Sequence, residues 1–182
     1  MIPSDHFVRF YNEVFKFLDA KNALPKYYQE ISRHQELHCY KLFMEKGLQG
    51  MEEYWAHIRH EENCDSVSCI KDGVRYSSMN RCPSLSKVLD NDATPCEKYC
   101  LHCPGWVTPL MTKCGFYYVS YIVAKDVPKC RSFQTESLEK ACQIVAELLA
   151  QGANRALIFS NIEDSKTVEA NKEKRRELRE EK

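Results

Sequence analysis

The chain has 182 residues, 43% of them hydrophobic and 29% charged, a balance that suits one globular domain with a full core rather than two. Its 26 basic and 26 acidic residues cancel, which removes any general pull toward nucleic acid or an anionic membrane. The N-terminus (Met-Ile-Pro-Ser-Asp-His-Phe-Val-Arg-Phe) has no basic start, and charges interrupt every apolar run of membrane-spanning length. The expected compartment is the cytoplasm, where the ten cysteines stay reduced and serve metal binding, catalysis or burial rather than a disulfide framework.

The first sixty residues read as three helices. Ser4 or Asp5 can cap the first, whose apolar positions Phe7, Val8, Phe10, Tyr11, Val14, Phe15 and Leu18 recur at helical spacing. Asn22 and Pro25 punctuate. A second helix is predicted over about 26–46, ended by Gly47, and a third over about 48–62. The period then changes. Residues 66–71 and 74–79 flank Asp72-Gly73, a strong signal for a two-residue hairpin turn.

Cys82-Pro83 opens a short helix through Leu89, and residues 91–95 form a loop. The cysteine run 96–103 follows as one or two helical turns, then a helix over 106–113 stopped by Gly115. Residues 116–124 make the strongest strand in the chain, rich in aromatic and β-branched side chains, and 129–134 pairs back on it. Thr135 or Ser137 caps a helix through Leu149, and 156–159 offers a last short strand. From Glu163 onward charge dominates. The expected fold is α+β: a helical N-terminal half of three helices, two β-hairpins sharing one antiparallel sheet, intervening helices, and a charged C-terminal helix or tail. Residues 1–160 form a single domain in this division, and 161–182 the tail.

The chemistry concentrates in Cys96, Cys100 and Cys103, a C-x3-C-x2-C spacing with His102 inside it and Cys82 upstream. On a helix the three thiols fall at i, i+4 and i+7 and share one face. Cys82, at a helix start, would feel unpaired N–H groups that favour a thiolate. Cys82, Cys96, Cys100 and Cys103 are therefore candidate ligands for zinc or an iron–sulfur cluster. The same face also suits a buried core stripe. The spacing matches the cluster motif of radical S-adenosylmethionine enzymes too, but the chain that follows is too short for their run of strand–helix units.

A cysteine nucleophile needs a base near it in space. His34, His38 and His102 are all candidate bases, and His102 or His38 is expected to move protons, with Cys82 or Cys103 as nucleophile. His34 lies one turn from His38, and His57 and His60 form a second pair, but neither pair completes a Glu-x-x-His or H-E-x-x-H pattern. Trp106, Tyr76, Tyr99, Tyr117, Tyr118 and Tyr121 offer walls for a small pocket.

Three helices, a hairpin, Cys82-Pro83, a second cysteine group, an aromatic strand after Gly115 and a late Cys130-x-x-Phe133 follow in order. This layout, over roughly 5–150, resembles the L-2-amino-thiazoline-4-carboxylic acid hydrolase-like family of mostly uncharacterised bacterial cytosolic proteins. Those proteins are similar in layout to the vinyl-reductase-type small-molecule-binding domain. The family's final hairpin carries Cys-x-Phe, one residue shorter than Cys130 to Phe133 here, and its cysteine group is less crowded. The resemblance implies a pocket between helices and sheet, with Cys82 and Cys100 or Cys103 as its thiols.

The expected function is that of a cytosolic small-molecule enzyme, a hydrolase of a C–N or C–S bond using a cysteine thiolate or a bound metal. The alternative is a non-catalytic zinc-, iron–sulfur- or ligand-binding domain. The expected partner is a small-molecule ligand or substrate, with no nucleic acid and no membrane.

Overall fold

A computed structural model describes residues 5–90 and 94–180, without the side chains of residues 5, 6 and 35–37. The expected cap at Ser4 and residues 91–93 of the 91–95 loop lie outside the described residues. The chain runs α1 (Asp5–Ala20), α2 (Leu24–Lys46), α3 (Leu48–Glu61), β1 (Asp65–Lys71), β2 (Val74–Arg81) and α4 (Pro83–Asp90). A 3₁₀ turn over Tyr99–Leu101 leads into α5 (His102–Lys113), then β3 (Tyr117–Ala124), β4 (Lys129–Thr135) and α6 (Leu138–Ala150). β5 (Ile158–Ser160) and α7 (Ser165–Glu180) close it. The α+β architecture expected from periodicity is what forms, and no described helix is long and apolar enough to cross a membrane.

The two hairpins do share one sheet. Its order is β1-β2-β4-β3-β5, antiparallel throughout, because β2 of the first hairpin pairs with β4 of the second. Asp72 and Gly73 make the first hairpin's turn with φ of 51° and 72°, the two positive values that a tight turn of this twist requires. Ser137 caps α6 by accepting the Lys140 N–H at 3.2 Å.

The sheet is the middle layer. α6 covers one face, where Val74, Tyr117, Val119, Ala141, Ile144 and Leu148 form a buried cluster. On the other side, α2, α3 and α5 bury Cys39, Phe43, Met51, Leu110, Met111 and Cys114. A third cluster joins α1, α2 and α4 around Phe15, Leu24, Tyr28, Leu85, Val88 and Tyr99. α1 splits its apolar residues between two stripes: Val8 and Phe15 go inward with Asn12, while Phe7, Phe10 and Phe17 stay exposed.

The charged C-terminal stretch is not a solvated tail. Helical periodicity in α7 buries Val168 and Arg175 against the body of the fold. The Arg175 guanidinium lies 3.7 Å above the Phe116 ring, Asn171 donates to the Thr112 carbonyl at 3.0 Å, and Arg179 donates to the Met44 carbonyl at 3.1 Å. The α7 backbone comes so close that a Cβ on Gly115 would stand 2.3 Å from the Lys172 nitrogen. Gly115 also has φ of +71°, so both backbone conformation and close approach demand glycine there. The domain therefore extends past residue 160 to take in α7.

Candidate active site

Strand register builds the floor of a cavity. Side chains alternate along each strand, so one sheet face presents three rungs across β2, β4 and β3: Arg75–Gln134–Tyr118, then Ser77–Ser132–Ser120, then Met79–Cys130–Ile122. Two residues along a strand advance roughly 7 Å, which separates cationic, hydroxyl and thiol-bearing rungs by that step. Above them lies a cavity of about 200 Å³, roofed by Trp55 and Ile58 of α3, Leu85 of α4, and Tyr99, Cys103 and Val107 around α5. That volume suits a small organic molecule.

The cationic rung is a buried ion network. Arg75 is 2% exposed. Its Nε donates to Glu52 Oε2 at 2.8 Å and its Nη1 to Gln134 Oε1 at 3.0 Å, while Trp55 lies 4.7 Å from its guanidinium carbon. Glu52 Oε1 also accepts from Arg59 at 2.7 Å and from Ser68 at 2.6 Å. Burial would raise the Glu52 carboxyl, but the hydrogen bonds from Ser68 and Arg59 and both guanidinium charges outweigh it and hold it low. Two guanidinium groups share the Glu52 carboxylate at this end. Arg59 Nη1 is buried with no hydrogen-bond partner among the described residues, and both arginines border the cavity.

At the other end sits a thiol–imidazole pair. His102 Nδ1 lies 2.5 Å from the Tyr99 carbonyl oxygen, which can only accept, so Nδ1 carries the proton. That leaves Nε2 as an acceptor, and it lies 3.2 Å from Cys103 Sγ. Phe15, Tyr99 and Trp106 enclose the imidazole with ring centroids at 5.8, 5.2 and 4.7 Å. Burial pushes His102 down to about 4, the Tyr99 contact opposing only in part. Cys103 has exposed surface, but it is exposed to the cavity; protein encloses it, and burial raises its thiol to about 11. The resting pair is neutral.

The Cys103 charge is felt both by Tyr118 on the cationic rung and by Cys130 on the thiol rung. Cys82, Cys100 and Cys130 border the same cavity. Cys82 does start a helix and its Sγ accepts the Leu85 N–H at 3.5 Å. Burial outweighs that contact, however, and raises the thiol to about 11 instead of lowering it. Burial likewise raises Cys100 to about 12.

Cys96 is not on the shared face. The run 96–103 is a turn, then 3₁₀, then the start of α5, so the i, i+4, i+7 geometry holds only for Cys100 and Cys103. Asn12 captures the Cys96 segment from α1, accepting its N–H at 2.8 Å and donating to the Thr94 carbonyl at 3.0 Å. The four expected ligands thus do not converge, and among the described residues no three His, Cys, Asp or Glu side chains are gathered as a metal site. His38 is exposed on α2 and does not border the cavity. His34, His57 and His60 are exposed as well, His57 standing 3.5 Å from Glu61. Of the expected aromatic walls, Tyr99, Tyr118 and Tyr121 border the cavity, Trp106 backs His102, and Tyr76 and Tyr117 pack on the α6 face.

Glu52, Arg59, Arg75, Gln134 and the serine rung carry no sequence motif. A period-2 polar pattern over Arg75, Ser77 and Ser132, Gln134 was visible, but alternation of that kind usually marks a solvent face. Only the helical roof turns it into a cavity floor. No protein-family model matches the chain, and no curated protein or solved structure matches it.

Proposed function

We propose that the protein is a cysteine-dependent hydrolase that cleaves a C–N or C–S bond in a small anionic molecule. The observation that carries this is His102 Nε2, fixed as an acceptor by the Tyr99 carbonyl, 3.2 Å from a cavity-facing Cys103 thiol. As Cys103 Sγ bonds to the electrophilic carbon, its proton passes to Nε2. The C–N or C–S bond then breaks, and Nε2 returns the proton to the leaving nitrogen or sulfur. Water, deprotonated by Nε2, then bonds to the same carbon, the C–Sγ bond breaks, and Nε2 returns the proton to Cys103 Sγ. Proton transfer must accompany attack, because neither partner is charged at rest.

The guanidinium groups of Arg75 and Arg59, the latter with a buried unpartnered Nη1, support an anionic substrate group at this end of the cavity. The layout likeness to thiazoline-carboxylic acid hydrolase-like proteins points the same way. A ligand-binding domain without turnover is the second reading, favoured by the neutral resting pair. Assay of purified protein against thiazoline, amide and thioester substrates bearing a carboxylate separates the two. Turnover lost in Cys103→Ala supports the hydrolase; saturable binding with no turnover of any of them supports the binding domain.

A further inference from the structure

α1 carries a second apolar stripe that stays largely exposed among the described residues. Phe7, Phe10 and Phe17 are 59%, 59% and 63% exposed, and half-buried Val14 lies between them. The intervals of three, four and three residues put all four on one helical seam. At some 60% of roughly 200 Å² each, the three rings present about 350 Å² of apolar surface, the size of the largest patch on a typical monomer.

We propose that this stripe is the isologous interface of a homodimer, with α1 packed antiparallel on α1 of a second copy. The stripe is its own complement. Its positions are symmetric about residue 12, so a two-fold axis there sets Phe7 level with Phe17 of the partner subunit and Phe10 level with Val14 of the partner subunit. Charge follows the same symmetry. Arg9 and Glu13 share one flank of the stripe, and the axis brings Arg9 within about 3 Å, along the helix, of the level of Glu13 of the partner subunit, twice per dimer. Arg9 has no ion-pair partner among the described residues, and Glu13, 66% exposed, pairs with Lys16 of its own helix. Doubling the aromatic area and adding the flanks approaches about 1,000 Å², the lower bound of specific association. A membrane surface fits less well, because Arg9 and Lys16 are matched by Asp5, Glu13 and Asp19, where interfacial helices carry a basic excess.

Sedimentation velocity of the full chain over a concentration series tests this. A reversible monomer–dimer equilibrium is expected, weakened roughly tenfold or more by Phe10→Glu with an unchanged circular dichroism spectrum. Glu13→Arg is expected to weaken the dimer, and adding Arg9→Glu to it to restore the dimer. A monomer at every concentration, a Phe10→Glu dimer as tight as the parent, or failure of the charge swap to restore association overturns the proposal. So does cosedimentation with phosphatidylserine vesicles that Phe10→Glu abolishes, which assigns the stripe to a membrane.

Discussion

His102 Nε2 and Cys103 Sγ meet at 3.2 Å although the two residues are consecutive. Neighbours in a helix point about 100° apart and do not face each other. These two residues open α5 directly after the 3₁₀ turn, and the Tyr99 carbonyl, from the start of that turn, holds the far side of the ring at 2.5 Å. A backbone oxygen thus does for this imidazole what a carboxylate does in other nucleophile–base pairs: it fixes the tautomer that accepts.

The neutral pair sets a pH profile for thiol chemistry. Burial raises Cys103 from 9.0 to about 11, so its thiolate fraction at neutral pH is on the order of one in ten thousand. Alkylation by iodoacetamide at Cys103 should rise about tenfold per pH unit up to roughly that value, with no plateau near neutrality. Peptide mapping against time at several pH values checks it, with exposed Cys69 and Cys142 as references in the same digest.

His102 gives folding stability a distinct acid limb. Its folded pKa is pushed from 6.5 down to about 4, so between these values the unfolded chain binds the proton and the folded chain does not. Stability is complete above 6.5 and falls as pH drops toward 4, by about 3 kcal/mol. Urea melts at a series of pH values should show this slope. His102→Phe should remove it while costing about 1–3 kcal/mol at neutral pH for the Tyr99 carbonyl left without its donor.

Glu52 acts lower on the scale. Its folded carboxyl is held below 4.5, so it stabilises the fold above that value and its contribution disappears as pH falls through the folded pKa. Glu52→Gln leaves the Arg75 guanidinium, 2% exposed, without its countercharge. The expected loss is about 3 kcal/mol at neutral pH, near the lower end for breaking a buried pair because Glu52 itself is 22% exposed. Denaturant midpoints of wild type and variant measure it.

Removing residues 165–182 should destabilise the whole domain. Losing the burial of Val168 costs about 2 kcal/mol and losing Arg175 on Phe116 about 2 more, equivalent to about 12 °C in Tm. Calorimetry of the shortened chain gives the answer; a Tm within a few degrees of the full chain would return α7 to the status of a solvated tail.

Much of the fold was legible because its signals were local. Asp72-Gly73 and the alternating strands gave the hairpins, and helical periodicity gave α1 to α3. The β2–β4 pairing that unites the hairpins depends on contacts far apart in sequence and had no local mark. α7 looked solvated because Arg175 buries a charged group above Phe116 and against Glu136 at 2.8 Å, a tertiary compensation that composition hides. In the site, His102 and Cys103 were readable as chemistry-bearing residues, while the placing of Cys96 was not: Asn12, 84 residues away, decides it. Arg75 and the serine rung were unreadable for a related reason, since a polar strand face becomes a cavity floor only when helices cover it.

The most direct test of the central claim is intact-mass trapping during turnover of a carboxylate-bearing thiazoline or thioester, quenched in acid and mapped by peptide. The account expects one substrate-derived adduct on Cys103, absent in Cys103→Ala and strongly slowed in His102→Phe. Turnover that persists in Cys103→Ala, or an adduct that maps to Cys82, Cys100 or Cys130 instead, would contradict it.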